Sequence, residues 1–347
     1  MVNKLTTLSF FIGRGIHTFV SYWSGYKITP KPGVAYLELT YRCTCRCHFC
    51  ERWKIGPKMA EEELTTEEIK HLLVDAYKIG VRYMGFTGGE AFLRKDIFEI
   101  GKFAKKLGLT LTIASNGTLI TEKNVGEIAK YFSSVTISMD GIVSGTHDSL
   151  RGVKGVYDKA MNALDLLQKV KVPVAVNMVI TRDNFMEIDK YIQFFSKKNI
   201  SLQFTPVHEN EKSYLRVQKG LKEIDMNTFV KEWQRLSEKY PFLNNGYYKH
   251  VPTFFSAPSK LLRAYTCFAG AVMFSMNPYG DVFPCEFNRT SMGNVRKEKL
   301  PVIWKKAQKL RQEISSAKRT CICWSQCAVP LNNRLTRAIA CKKLFSR

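Results

Sequence analysis

The sequence predicts an α/β protein in which a parallel sheet is followed by a small cysteine-rich α+β extension. In the first two-thirds of the chain, six strand-like segments alternate with helical ones, which favours a parallel sheet covered by helices. The last third has short apolar runs and holds six of the ten cysteines. With 347 residues, 45% of them hydrophobic, the chain is long and apolar enough to bury a substantial core.

The strand-like segments are short, apolar and bounded by turn residues, and they span residues 34–40, 82–86, 109–114, 135–139, 173–180 and 200–206. The helical segments between them span residues 65–79, 96–107, 122–131, 156–170 and 185–198. The first of these helices opens on Thr65 with Glu68 three residues later, which is the pattern of a capping box. Its apolar residues recur at helical spacing and predict a buried face: Ile69, Leu72, Leu73 and Ala76.

Three cysteines, Cys43, Cys47 and Cys50, follow the first strand in a C-x3-C-x2-C run. Thiolates this close in sequence converge without a large framework, and cysteine thiolates hold the irons of a [4Fe–4S] cube. Three ligands leave the fourth iron open to bind a substrate, so the spacing predicts chemistry as well as electron storage. Zinc is the competing interpretation, and it would need Cys45 or His48 as a fourth ligand.

Polar turns follow the next three strands. After the second strand, Gly88 and Gly89 would let the backbone approach a ligand, and Glu90 could accept hydrogen bonds from an ammonium group. Asn116 follows the third strand, and Ser138 lies at the end of the fourth. Gly-Gly and Asn-Gly pairs are also ordinary turn dipeptides. Both interpretations hold together, because the loops after parallel strands are where sites are placed.

With Phe49 directly before the last cysteine of the run and Gly88-Gly89-Glu90 after the second strand, the chain resembles the radical S-adenosylmethionine (radical SAM) enzymes. The resemblance implies an open, partial (β/α)6 TIM-like barrel with the cysteine loop at the C-terminal mouth of its sheet. It implies that the three cysteines bind a [4Fe–4S] cluster whose open iron binds SAM. An electron from the cluster would then cleave SAM to a 5′-deoxyadenosyl radical, which takes a hydrogen atom from the substrate.

The resemblance also implies which residues contact SAM. Phe49 would lie against the adenine, and the motif Gly88, Gly89 and Glu90 would bind the amino group. The ribose and the methionine carboxylate would be contacted by three further residues: Asn116, Ser138 and Arg151. The family's usual proline after the Gly-Gly-Glu motif is replaced here by alanine. We identify no general base from the sequence.

In the last third, Cys267 is followed by the pattern Gly280-x4-Cys285, and residues 277–281 form a turn signature between two apolar runs, which predicts a hairpin. Four later cysteines are Cys321, Cys323, Cys327 and Cys341. This arrangement resembles the SPASM or twitch extension of radical SAM enzymes and implies one auxiliary [4Fe–4S] cluster. Cys267 and Cys285 would ligate it together with two of the four later cysteines, whose spacing departs from the family pattern. Disulfides are the competing interpretation, disfavoured because we identify no signal peptide.

The formal net charge is +23, and over residues 296–347 fourteen Lys and Arg oppose two Glu. Such a basic surface can attract nucleic acid, anionic lipid or an acidic peptide, or it can simply be solvated or neutralise clusters. Nucleic acid is disfavoured, because few aromatic residues interleave with the basic ones, chiefly Trp304, Trp324 and Phe345.

The N-terminal segment predicts an amphipathic helix, because its apolar residues recur at helical spacing: Leu5, Leu8, Ile12, Ile16, Phe19 and Trp23. Packing of this stripe on the barrel's lower opening is favoured over the alternative, docking on an anionic membrane surface. No run reaches about 18 uninterrupted apolar residues, so we predict no transmembrane helix.

Together these features predict a cytoplasmic radical SAM enzyme, with a peripheral contact to the cytoplasmic face of the membrane as an option. We expect an N-terminal helix over residues 1–30, a partial barrel over 31–240 and an auxiliary-cluster domain over 241–347. A ferredoxin- or flavodoxin-like protein would supply electrons. The predicted substrate is an anionic lipid, an isoprenoid or another metabolite. The alternatives are a peptide- or protein-modifying maturase, disfavoured because only about 33 residues precede the first strand, too few for a leader-binding domain, and a non-catalytic iron–sulfur electron-transfer protein.

Overall fold

The structure is a computed structural model that describes residues 4–208, 224–263, 265–316, 319, 324, 329, 332, 335 and 336. For residues 4–12, 14 and 263 it describes the backbone without the side chain. Four predicted cluster ligands lie outside the described residues: Cys321, Cys323, Cys327 and Cys341.

One open sheet organises the described part of the chain. Its strands are β1 (Val34–Thr40), β2 (Tyr83–Gly88), β3 (Thr110–Ser115), β4 (Ser134–Ser138), β5 (Val174–Ile180), β6 (Ser201–Pro206), β7 (Met273–Met276), β8 (Asp281–Phe283) and β9 (Gly293–Asn294). Their order is β6-β5-β4-β3-β2-β1-β7-β8-β9, and the pairs from β6 to β7 are parallel. Because β6 and β9 stand at opposite ends of this order, the sheet does not close, and the prediction of an open α/β barrel is confirmed.

The helices are α1 (Lys4–Trp23), α2 (Arg52–Ile55), α3 (Thr66–Ile79), α4 (Ile97–Lys106), α5 (Val125–Tyr131), α6 (Ser144–Arg151), α7 (Val156–Lys169), α8 (Ile188–Lys197), α9 (Met226–Lys239), α10 (Val251–Ser256), α11 (Leu300–Lys306) and α12 (Gln308–Ser315). The predicted capping box is present, because the Thr65 hydroxyl accepts from the Glu68 N–H and the Glu68 carboxylate accepts from the Thr65 N–H. The buried residues of α3 are the four that the spacing predicts.

The hairpin predicted around residues 277–281 is formed by β7 and β8, which pair antiparallel. Gly280 takes a φ of +91°, a backbone conformation that favours glycine, and the side-chain oxygen of Asn277 accepts from the N–H of Asp281 at 2.9 Å. The first strand of the hairpin also pairs with β1, from Val34 opposite Met273 onward. The extension therefore continues the sheet of the barrel.

Helix α1 is present as predicted, but its described side chains are turned differently from the expectation. Thr18 and Ser21 are buried, whereas Ile16 is 60% exposed and Trp23 is 49% exposed. Of the predicted stripe, Phe19 packs against the core. The expectation that Ile16 and Trp23 pack inward is wrong, because small polar residues let the helix approach the domain closely. No helix of the described residues is long and apolar enough to cross a membrane.

Candidate functional site

A cavity of about 450 Å³ opens where the parallel strands end. All four cysteines of the first loop line it: Cys43, Cys45, Cys47 and Cys50. The ends of the neighbouring strands contribute Gly88, Ser115 and Ser138, and Asn116 follows directly. Deeper in, the sheet presents small polar side chains: Thr112, Ser134, Thr136, Asn177, Gln203 and Thr205. Parallel strands carry their sites at this end, so the sequence motifs converge where the fold predicts.

The cysteine loop is held on one side by the glycine pair. Gly89 N–H donates to the carbonyl of Thr40 at 2.7 Å, and Glu90 N–H donates to the carbonyl of Arg42 at 2.8 Å. A Cβ on Gly89 would collide with the Arg42 carbonyl, and a Cβ on Gly88 would collide with that of Thr40. The two glycines are thus needed because two backbones meet there without room for side chains.

On its other side the loop is held by the end of α6. The N–H groups of Arg46 and His48 donate to the carbonyls of Arg151 and Leu150, at 2.8 and 3.3 Å. Gly152 follows with a φ of +67°, and a Cβ on it would collide with the carbonyl of Arg46. The loop is therefore fixed along both flanks by main-chain contacts.

Hydrogen-bond donors surround the thiols. The amide Nδ2 of Asn116 lies 3.7 Å from Sγ of Cys43, and Nη1 of Arg151 lies 3.7 Å from Sγ of Cys47. Hydrogen bonding with Cys45 lowers the pKa of Cys43 to about 7, and the same bonding raises the pKa of Cys45. Cys43 is therefore the more acidic of these two thiols.

The loop has features that suit a cube of irons. Among the described residues, no group of three or more His, Cys, Asp or Glu is arranged to hold one metal ion. In a [4Fe–4S] cube each thiolate binds a different iron, so the three sulfurs need not share one centre. Three thiols on one loop, lining one cavity with donors directed at two of their sulfurs, are suited to such a cluster.

Glu90 lies fully buried and organises the wall of the cavity. Its carboxylate accepts from the Ser115 hydroxyl at 3.0 Å, from the Asn116 N–H at 2.8 Å and from the Phe92 N–H at 3.1 Å. Burial raises its pKa to about 6 in spite of these bonds. The glycines beside it line the cavity, whereas Glu90 holds the Ser115-Asn116 turn that carries the amide beside Cys43.

Arg151 lies at the base of the cysteine loop. Its Nε is 2.7 Å from Oδ2 of Asp140, and its guanidinium lies over the ring of Phe49 at 5.4 Å. Asp140 is fixed in turn, because its Oδ1 accepts from the Val179 N–H at 2.9 Å. Next to it, Nδ1 of His147 accepts from the Asp140 N–H at 3.0 Å, and burial lowers the pKa of His147 to about 3. A neutral histidine and an ion pair thus join β4, β5 and α6.

The two described cysteines of the extension are buried next to amide donors. The Asn332 Nδ2 lies 3.6 Å from Sγ of Cys267, and the Asn288 N–H lies 3.3 Å from Sγ of Cys285. The Gly270 N–H donates to the Pro284 carbonyl at 3.1 Å, which draws the two segments together. These contacts suit thiolates, since amide donors stabilise their charge.

Sequence reasoning gave no role to several residues at the site. Asp140 directly follows the fourth predicted strand, and a carboxylate in that position was the signal that could have singled it out. Arg52 and Glu286 also line the cavity, and they form an ion pair at 2.7 Å. No signal in the sequence pairs these two, because 234 positions separate them.

Comparison with known proteins agrees with this geometry. A model of the radical SAM superfamily matches residues 37–195, and a model of the SPASM iron–sulfur cluster-binding domain matches residues 267–328. The chain is 26% identical over 299 residues to an AdoMet-dependent heme synthase of Methanosarcina barkeri, which covers 82% of this chain and 85% of that protein. It is 28% identical over 289 residues to a PqqA peptide cyclase of Rhizobium meliloti, covering 80% of this chain and 74% of that protein.

Among solved structures, SuiB of Streptococcus suis bound to its precursor peptide SuiA superposes with a TM-score of 0.62 at 19% identity. The superposition covers 83% of this chain and 67% of that chain. At this identity the likeness concerns the fold.

Proposed function

Since the chain belongs to the radical SAM superfamily and carries a SPASM iron–sulfur domain, we propose that it is a maturase that modifies a peptide. It is a SAM-dependent iron–sulfur enzyme whose cofactors are a [4Fe–4S] cluster, SAM and an auxiliary iron–sulfur cluster. The substrate is the part that we infer.

The residues at the cavity supply the binding and positioning. Cys43, Cys47 and Cys50 would hold the first cluster, and Cys267 and Cys285 the auxiliary one, completed by two of Cys321, Cys323, Cys327 and Cys341. Bound together, the first cluster and SAM would supply the chemistry, which is a one-electron cleavage of SAM that generates the radical able to take a hydrogen atom from a substrate.

For SAM we propose the positions that the motifs indicate: Phe49, Gly88, Gly89, Glu90, Asn116, Ser138 and Arg151. The geometry supports a division of labour among them. Phe49, Gly88, Gly89, Asn116, Ser138 and Arg151 line the cavity, whereas Glu90 would act through the turn that it holds. Placement of SAM between the loop and the sheet would limit the access of water to a reactive radical.

The observation that carries the peptide proposal is the match to a PqqA peptide cyclase along 80% of this chain, through both the barrel and the extension. The fold likeness to SuiB in complex with a peptide is compatible with it. The net charge of +23 would favour an acidic peptide. Relatives of this kind favour a peptide or cofactor maturase over the lipid or isoprenoid substrate that the sequence suggested.

A second candidate is the modification of a haem-type porphyrin. It is favoured by the match to an AdoMet-dependent heme synthase, which covers 85% of that protein. The carboxylates of a porphyrin would suit the same basic surface, so charge does not separate the two candidates.

We propose two further partners, an electron donor and a membrane surface. A ferredoxin- or flavodoxin-like protein would supply the electron. Helix α1 would offer a peripheral membrane contact through Ile16, Val20 and Trp23, which lie on one exposed face. From residue 1 to residue 37 the chain has basic residues and no acidic ones, which would suit an anionic surface.

The test uses reconstituted protein, SAM and dithionite with an extract of the source cells that retains both peptides and small molecules, and it measures 5′-deoxyadenosine. We expect the extract to stimulate formation, and prior protease digestion of the extract to abolish that stimulation. Stimulation that survives protease and follows added porphyrin would replace the peptide proposal with the second candidate.

The cofactor assignment has its own control. A variant with Cys43, Cys47 and Cys50 all changed to alanine should cleave no SAM and should retain the iron of the auxiliary site. Formation of 5′-deoxyadenosine by that variant would overturn the assignment of these three ligands.

A further inference from the structure

Four charged side chains meet between the cysteine loop and the extension, and we call them the charge network: Glu38, Arg52, Glu286 and Arg289. Arg52 donates to Glu38, and its Nη2 lies 2.7 Å from Oε1 of Glu286. Arg289 donates to both oxygens of Glu38, at 3.0 and 2.6 Å. The Glu38 side chain is 0% exposed and those of Arg52 and Arg289 are 6% exposed.

The charge network lies next to thiols of both proposed cluster sites. Arg52 follows Cys50 by two residues, and both residues line the same cavity. Glu286 directly follows Cys285, and it lines the same cavity as Arg52. A change in charge at either residue therefore acts on the cavity in which the first cluster would lie.

The network is balanced and poorly screened. Two carboxylates face two guanidinium groups, so the four charges sum to zero. Burial alone would raise the pKa of Glu38, yet Arg289 and Arg52 lower it to about 2, so the carboxylate is ionised at neutral pH. Ionic screening by salt reaches buried charges far less than exposed ones.

We propose that the charge network sets the reduction potential of the cluster at Cys43, Cys47 and Cys50, with Arg52 raising the potential and Glu286 lowering it. One-electron reduction transfers an electron from the reductant to the cluster and adds one negative charge there. A buried positive charge nearby favours that step, and a buried negative charge opposes it. This inference rests on the cluster assignment in the proposed function and is independent of the substrate.

The experiment is a redox titration of the reconstituted holoenzyme, followed by electron paramagnetic resonance. The first cluster is identified as the signal that changes when SAM is added. Arg52→Gln should shift its midpoint potential to more negative values, and Glu286→Gln should shift it to more positive values. The double variant restores the charge balance and should titrate near the wild-type protein.

Two further variants separate charge from structure. Arg52→Lys keeps the charge and should keep the potential close to that of the wild type. Lys54→Gln removes an equal charge from an exposed side chain two residues further on and should leave the potential unchanged.

Shifts of the same sign in Arg52→Gln and Glu286→Gln, or a double variant whose midpoint potential lies further from the wild type than that of either single variant, would overturn the proposal. Should Arg52→Gln fail to fold, an unshifted potential in Glu286→Gln would overturn it alone. These results differ from a failure of the proposed function, which would show as the absence of any signal that SAM perturbs, or as a substrate other than a peptide.

Discussion

Arg151 and Asp140 form an ion pair in the interior, with Nε and Oδ2 2.7 Å apart and both side chains buried. The same guanidinium lies against Phe49 and close to the Cys47 thiol, so one residue of α6 joins the sheet to the cysteine loop. The geometry of the loop therefore depends on a charge pair that sits behind it.

Arg151→Met should destabilise the protein strongly, because it leaves the Asp140 carboxylate buried without its partner. Losing one member of a buried pair costs about 3–5 kcal/mol. Urea unfolding followed by tryptophan fluorescence measures this loss. Combining Arg151→Met with Asp140→Asn should recover part of the lost stability. As a control, Arg182→Met breaks an exposed pair with Asp183 and should cost at most about 1 kcal/mol. Equal losses for the buried and the exposed variants would contradict the expectation.

Glu90 predicts a pH dependence of stability. Its pKa in the folded protein is about 6, above the ordinary 4.5, so the folded state binds this proton more tightly than the unfolded chain. Well below pH 4.5 Glu90 is protonated in both states, and the folded protein does not carry the cost of a buried carboxylate charge. As the pH rises through 6, the free energy of unfolding falls by roughly 2 kcal/mol, since one pKa unit is worth about 1.4 kcal/mol.

Glu90→Gln should remove this dependence while keeping the acceptor for Ser115 and Asn116. The free energy of unfolding, measured for both proteins at pH 4.5 and pH 7, checks the prediction. We expect the stability of the variant relative to the wild type to increase as the pH rises. A difference that stays constant between the two pH values would show that the Glu90 proton is not linked to folding.

Gly89→Ala should displace the cysteine loop, because the added Cβ would collide with the carbonyl of Arg42. We expect the iron of the first site and the formation of 5′-deoxyadenosine to be lost together. Gly126→Ala is the matched control, because a Cβ on this helical glycine meets nothing within 4 Å. Full iron content in Gly89→Ala would mean that the two backbones can separate without harm.

Binding to anionic vesicles should depend on the exposed face of α1. Changing Ile16, Val20 and Trp23 to serine should reduce co-flotation with phosphatidylglycerol vesicles, because it removes apolar area from the surface. Met186 and Val230 are exposed apolar residues elsewhere on the fold, and changing them to serine should leave co-flotation as it was. Equal vesicle binding by the wild type and both variants would show that α1 is not the membrane contact.

The six barrel strands could be predicted from the sequence, because each is a short apolar run that ends in polar turn residues. The observed bounds differ from the predicted ones by at most two residues. Helix α6 could not be predicted in this way. Its sequence is mostly polar, and two of its three buried residues, His147 and Arg151, are polar side chains held by Asp140 and its neighbours.

The cysteine loop and the glycine pair of the candidate site could also be predicted, because short spacings record local geometry. The charge network could not, since Glu38, Arg52 and Glu286 meet only through the fold. The same limit applies to β7, a run of four buried residues, three of them apolar, whose partner β1 lies far away in the chain. Local pattern identifies a strand, but it does not choose the strand beside which it lies.

The pairing of β1 with both β2 and β7 has a mechanical consequence. Four residues of β1, from Val34 to Leu37, lie opposite partners in β2 of the barrel and in β7 of the extension, so one strand connects the two proposed cluster sites rigidly. The spacing between the sites is then a property of sheet geometry and not of a linker. A substrate that has to reach both sites would have to adapt its conformation to this fixed distance. A displacement of β1 along its own axis would move both sites together.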